Sequence, residues 1–181
     1  MITVAITGHT QGIGLALSKY FEQQGCTVLG FSRTNGYDIT VNKDQIINQA
    51  KTADIFINNA HHVTAQFDLL KNMTEEWQGT DKRIINLSSK GAFVPNRFKD
   101  QYCDAKHKQN EFIRSRILTD SPRITNIIVG LVATELSKQW DYKKIDPVDL
   151  AKLIYDLTVC PMSVQEIVLE VPGFDWKVYS T

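Results

Sequence analysis

Residues 1–16 read MITVAITGHTQGIGLA, and the fold turns on them. An apolar run from Ile2 to Ile6 meets a loop holding Gly8, Gly12 and Gly14, and an amphipathic pattern with Ile13, Ala16, Leu17, Tyr20 and Phe21 follows at once. That order predicts strand, glycine loop, helix. Glycine is needed where backbone must take a positive φ or approach a ligand closely, and a helix starting there aims free N–H groups at phosphate. The ligand implied is a dinucleotide. Read alone, the same loop also serves as a tight strand-to-helix turn.

The 181 residues read as a single domain, 1–181, with 43% hydrophobic and 22% charged side chains, the balance of a globule with a real core. Twenty basic side chains offset twenty acidic ones, so no overall field draws nucleic acid or an anionic membrane. The first strand starts without a charged leader, and no apolar run reaches the roughly 20 residues of a membrane helix. The expectation is a cytoplasmic protein. Cys26, Cys103 and Cys160 are far apart with no CxxC, which fits reduced thiols. His9, His61, His62 and His107 have no zinc spacing, so no metal site is expected.

Outward from the glycine loop, Gly25 caps the first helix and Thr27 to Phe31 reads as a second strand, ending in Ser32 and Arg33. In dinucleotide folds an acid at this strand end binds the ribose hydroxyl of NAD, whereas arginine without an acid accommodates the 2′-phosphate of NADP. NADP(H) is therefore preferred, with NAD(H) the alternative; Arg33 also reads as a solvated strand-end residue. Further strands are predicted around Tyr37 to Ile39, at Asp54 to Ile57, Ile84 to Leu87, Ile124 to Val129 and Ile167 to Val171. Helices are predicted between them: after Asn42, through Phe67 to Trp77, after Asp100 with Tyr102 to Ile117, and after Asp146 and Pro147. Alternating strands and helices give an α/β chain: a doubly wound, mainly parallel sheet of about seven strands with helices on both faces, trimmed after the second strand.

Tyr102 and Lys106 lie four apart on a predicted helix and so share a face. A phenol with a pKa of about 10 exchanges protons poorly at neutral pH, and a neighbouring ammonium favours the phenolate. With that help Tyr102 is a candidate general acid and base, and Ser89 at a neighbouring strand end is placed to hold the same substrate oxygen.

Together these residues resemble the short-chain dehydrogenase/reductase family over nearly the whole chain. Its Thr-Gly-x-x-x-Gly-x-Gly appears as Thr7, Gly8, Gly12, Ile13 and Gly14; its Asn-Asn-Ala-Gly as Asn58, Asn59 and Ala60, with His61 for the glycine. Its serine followed thirteen residues later by Tyr-x-x-x-Lys appears as Ser89, Tyr102 and Lys106, and its Pro-Gly-x-Val-x-Thr as Gly130, Val132 and Thr134, with Val129 for the proline. Asp38 before Ile39 resembles the acid that contacts adenine.

The resemblance implies a Rossmann-type fold and hydride transfer between a nicotinamide and a small-molecule carbonyl or alcohol. It makes Ser89, Tyr102 and Lys106 catalytic, with Lys106 lowering the phenol's pKa and holding the nicotinamide ribose. The cofactor-binding set it implies is Gly8, His9, Thr10, Gly12, Ile13, Gly14, Ser32, Arg33, Asp38, Asn59, Ala60, Lys106, Val132 and Thr134. The chain is shorter than the family's usual members, which puts a homo-oligomer of the usual tetrameric kind in doubt, and Asn72 is the only nearby candidate for the family's relay asparagine. A catalytically silent, NADP(H)-binding regulatory module is the alternative on the same fold, and an epimerase or dehydratase using the same trio is a third reading. Phe93, Phe98, Trp140, Tyr142 and Trp176 read either as an aromatic pocket rim or as ordinary packing.

Overall fold

The structure is a computed structural model that describes residues 1–93, 100–116 and 122–173. The expectations on Phe98, Ile117 and Trp176 fall outside these residues. β1 (Thr3–Thr7) buries Val4, Ala5 and Ile6 completely, as a strand covered on both faces must. α1 (Gly12–Gln23), β2 (Thr27–Phe31), α2 (Lys43–Ala50), β3 (Ile55–Asn58), α3 (Ala65–Glu76) and β4 (Arg83–Ser89) follow. α4 (Gln101–Ser115), β5 (Arg123–Val129), α5 (Pro147–Val159) and β6 (Glu166–Leu169) complete the described elements.

The six strands pair in the order β2-β1-β3-β4-β5-β6, all parallel. The chain moves outward from β1 to β2 and returns to β3 on the other side of β1. That reversal opens a crevice at the carboxyl ends of β1 and β3, where open parallel sheets bind ligands. Strand alternation sorts the core into two layers. Ala5, Phe56, Ile84 and Ile124 meet Ile46, Leu69, Met73 and Ile113 of α2, α3 and α4. Val4, Ile6, Ile57, Ile85 and Ile127 meet Leu17, Phe21, Leu150 and Ile154 of α1 and α5 on the opposite face. Each of these side chains larger than alanine contributes about 1.5–3 kcal/mol by leaving water.

The expected strand around Tyr37 to Ile39 is absent from the described sheet, which has six strands instead of about seven. Its backbone donors go to turns: Tyr37 N–H to Ser32 O at 2.8 Å and Asp38 N–H to Asn42 Oδ1 at 3.0 Å. Asp38 Oδ1 in turn accepts from Thr40 N at 2.8 Å. Asn and Asp side chains offer the backbone a local alternative to a strand ladder, and here they win. The apolar residues pack inward regardless, Ile39 buried in the core and Tyr37 half-buried, edge-on to Phe31 at 5.2 Å between centroids.

The helix starts that matter for the site are capped as their sequences predict. Asp100 Oδ1 accepts from Cys103 N at 2.8 Å, fixing the start of α4 two residues before Tyr102. Asp146 Oδ1 accepts from Val148 N at 2.7 Å, with Pro147 opening α5.

Candidate active site

The glycine loop is tied down by its neighbours. Gly8 takes φ +71° and donates its N–H to Phe31 O at 2.6 Å, joining the loop to β2. Thr7 Oγ1 accepts from the N–H groups of Asn59 and Ala60, both at 3.0 Å, and Asn59 Nδ2 donates to Thr7 O at 2.9 Å. A Cβ on Gly14 would collide with the Gly8 carbonyl oxygen, so α1 starts pressed against the loop. No acidic side chain stands in the first turn of α1 and its start has no side-chain cap, leaving its leading N–H groups for an anion.

The residues expected to meet a cofactor fall into two groups. Gly8, Gly12, Ile13, Gly14, Ala60 and Thr134 lie around the loop: a Cβ on Gly12 would sit 3.3 Å from Thr134 Cγ2, and one on Gly8 would sit 3.2 Å from Ala60 Cβ. The His9 ring lies across Gly30 of β2, where any side chain would collide with it, and its buried Nδ1 has no hydrogen-bond partner among the described residues. Thr10 is exposed at the loop's outer side. Buried Val132 bridges to Ile145, and Ser137 Oγ donates to Val132 O at 2.6 Å, which sets the turn that carries Thr134.

Others serve the scaffold more than the crevice. Asn59 spends its amide on the loop's carbonyls. Ser32 is buried, its hydroxyl 2.7 Å from Thr34 Oγ1 and 3.1 Å from Asn35 Oδ1, while Arg33 beside it is exposed. The Thr40 backbone and hydroxyl hold the Asp38 carboxylate below its ordinary pKa, with help from the nearby charge of Arg33.

Ser89, Tyr102 and Lys106 come together at the carboxyl end of β4. The Ser89 hydroxyl and the Tyr102 ring both face Gly91, a Cβ on which would stand 3.4 Å from Ser89 Oγ and 3.3 Å from Tyr102 Cε1, and Ser89 Oγ accepts from Gly91 N at 3.1 Å. Tyr102 keeps 37% of its surface exposed, but loss of water around its hydroxyl raises its pKa, against the opposing pull of Ser89. Lys106 is 3% exposed, and its Nζ donates to Gln66 Oε1 at 2.7 Å and Leu87 O at 2.8 Å. Burial lowers its pKa to about 7. The expected lowering of the phenol's pKa by Lys106 is not what this geometry delivers: the ammonium lies 5.7 Å from the Tyr102 ring centroid and is directed at neutral oxygens.

Much of the polar machinery around Lys106 was not foreseen. Asn58, Asn86 and Asn126 occupy one row across β3, β4 and β5, in register with Glu166 of β6. Asn58 Nδ2 donates to Asn86 Oδ1 and Asn86 Nδ2 to Asn126 Oδ1, each at 3.0 Å, and none of the three has exposed surface. Gln109 of α4 joins the row, with Asn86 Nδ2 donating to its Oε1 at 3.4 Å and its Nε2 donating to Gln66 Oε1 at 3.3 Å. His61 meets Tyr102 edge to face at 4.6 Å. A signal was present: each asparagine stands two residues after an apolar one on the same strand face (Phe56, Ile84, Ile124). Asn72 is elsewhere, its amide returned to Asp68 O of its own helix at 2.6 Å. Phe93, Trp140 and Tyr142 are all substantially exposed.

Among the described residues no cluster of His, Cys, Asp and Glu has the makings of a metal site, and no helix is long and apolar enough to cross a membrane. No protein-family profile and no curated protein matches the sequence. Solved structures do match. A short-chain dehydrogenase from Burkholderia cenocepacia J2315, in complex with NADP, superposes with a TM-score of 0.78 at 17% identity, over 94% of this chain and 88% of that one. A 3-ketoacyl-(acyl-carrier-protein) reductase from Brucella melitensis, complexed with NADH, gives 0.76 at 17% identity, over 94% and 96%. Serine dehydrogenase from Escherichia coli gives 0.69 at 17%, over 97% and 100%. The parallel sheet, its reversal beside β1 and the tethered glycine loop are thus those of a known architecture: this chain has the short-chain dehydrogenase/reductase fold.

Proposed function

We propose that the protein is an NADP(H)-dependent oxidoreductase that transfers a hydride between nicotinamide and a small carbonyl or alcohol substrate, with Tyr102 as general acid and base. The observation that carries this reading is the convergence of Ser89, Tyr102 and Lys106 at the same sheet edge as the glycine loop. The donor set fits a dinucleotide: a side-chain-free cradle at Gly14, uncapped N–H groups at the start of α1, and Thr134 against Gly12. Neighbours on this fold hold NADP or NADH. Exposed Arg33, with no acid in the turn it begins, favours the 2′-phosphate of NADP.

The bound cofactor supplies the hydride; the protein supplies orientation and the proton. In the reducing direction Ser89 donates a hydrogen bond to the substrate oxygen, and the Tyr102 O–H gives its proton to that oxygen as the carbon gains its hydride. The phenolate left behind recovers a proton before the next cycle. Lys106 has three N–H donors, and the third, not spent on Gln66 or Leu87 O, is the one available to the site.

A second reading, a silent NADP(H)-binding module, draws on a specific observation: the hydrogen bonds of Lys106 Nζ go to Gln66 Oε1 and Leu87 O and not to the phenol, whose pKa is raised. Oxidation of NADPH with a panel of aldehydes and ketones separates the two. The enzyme reading requires turnover that drops by about 10²–10⁴ in Tyr102→Phe while NADPH still binds; NADPH binding without turnover across the panel rejects it.

A further inference from the structure

Gln66, the second residue of α3, is fully buried at the centre of the site, where no sequence motif places a functional group. Its amide orientation is dictated by what surrounds it. Nε2 donates to two backbone carbonyls, Asn58 O at 2.9 Å and Leu87 O at 3.1 Å. Turning the amide over would set its oxygen against both carbonyls and its NH2 against an ammonium, so the assignment has one solution. Oε1 therefore faces Lys106 Nζ at 2.7 Å, Gln109 Nε2 at 3.3 Å and His61 Nδ1 at 3.3 Å. An amide oxygen only accepts, so His61 must carry its proton on Nδ1.

We infer that the Gln66 carboxamide is the positioning group of this site, aiming the Lys106 ammonium and fixing His61 as the Nδ1–H tautomer with Nε2 left as an acceptor beside Tyr102. The inference deepens the oxidoreductase reading, in which Tyr102 is the proton donor. Two consequences follow from the chemistry. The hydrogen bond from the ammonium to Oε1 favours the charged lysine and offsets part of its burial, as no carboxylate bonds Lys106 among the described residues. Desolvation and the charge of Lys106, with a smaller contribution from His62, lower the pKa of His61, against the hydrogen bond to Gln66 and the charge of Asp100 at the start of α4. Tyr102, one turn before Lys106 on α4, and Cys103 beside it are further titratable groups of the cluster.

The test uses NMR on the intact protein, with the Lys106 signal assigned by its absence in Lys106→Arg. Nitrogen-detected ring spectra of the wild type should show His61 protonated at Nδ1; the Nε2–H form common in solution overturns the inference. In Gln66→Met, which keeps the length and removes the acceptor, the Lys106 titration midpoint should fall by about one to two units and His61 should lose its Nδ1–H preference. An unchanged midpoint overturns the inference, and if Gln66→Met does not fold, the wild-type tautomer decides alone. NADPH oxidation is assayed in parallel. Absence of turnover, with the tautomer and midpoint as stated, rejects the oxidoreductase reading and leaves the role of Gln66 standing.

Discussion

Replacing Asn86 with leucine probes the polar row that supports the site. The substitution keeps the number and branching of side-chain heavy atoms while exchanging the polar pair for bulkier methyl groups, so the lost hydrogen bonds set the lower bound of its cost. Among the described residues Asn86 is the only donor to Asn126 Oδ1, at 3.0 Å, and to Gln109 Oε1, at 3.4 Å. Asn58 Nδ2 loses an acceptor but keeps Gln66 O at 3.0 Å. A stranded buried polar group costs about 1–3 kcal/mol. Two stranded acceptors, the Gln109 one at the low end, give about 2–5 kcal/mol, against a total of about 5–15 kcal/mol for a typical domain. In urea, with a slope of about 2 kcal/mol/M, the unfolding midpoint should move down by about 1–2.5 M. Asn86→Leu combined with Asn126→Leu should cost less than the sum of the two single changes, because removing both partners strands fewer groups. A loss under about 1 kcal/mol for Asn86→Leu, or strict additivity in the double variant, would refute the argument that the row is a coupled network.

Two other predictions concern charge. Lys106 titrates at about 7 when folded, against an ordinary 10.5, so between these values the unfolded chain binds a proton that the folded chain does not. Stability should therefore climb as pH rises from 7 toward 10, and Lys106→Met should flatten that climb in urea midpoints taken at pH 6, 7.5 and 9; a parallel slope in the variant contradicts the buried lysine's role. Arg33→Ala should weaken NADPH binding by about 10-fold or more, the size of one charge-assisted contact, and leave NADH binding unchanged. Fluorescence titration reads both, and equal affinities of the wild type for NADH and NADPH would remove Arg33 from the selectivity argument.

What the sequence made legible was local. The glycine loop announces itself because the glycines are close in the chain, and Tyr102 and Lys106 because a helix converts a spacing of four into one face. The carboxylate caps of Asp100 and Asp146 act within three residues and were equally visible. The turn at 37–39 was misread as a strand because apolar Tyr37 and Ile39 alternate as a strand would. The side chains of Asn42 and Asp38, which decide the matter, are polar residues with many uses. Gln66 was out of reach, since it meets Lys106 across forty residues of chain, and the asparagine row depends on strand register that no single stretch encodes. Asn72, the nearby candidate for a relay asparagine, returns its amide to a carbonyl of its own helix, a local choice that sequence spacing does not reveal.

The central claim is that Tyr102 passes a proton to a substrate oxygen while the adjoining carbon takes hydride from NADPH. Deuterium-labelled NADPH, carrying the label at the transferable position, tests it directly with any aldehyde or ketone that is turned over. The account predicts one deuterium on the alcohol carbon for each NADPH consumed by the wild type, and almost none formed by Tyr102→Phe in the same time. NADPH that binds but is never consumed, or label transferred equally well by Tyr102→Phe, would contradict it.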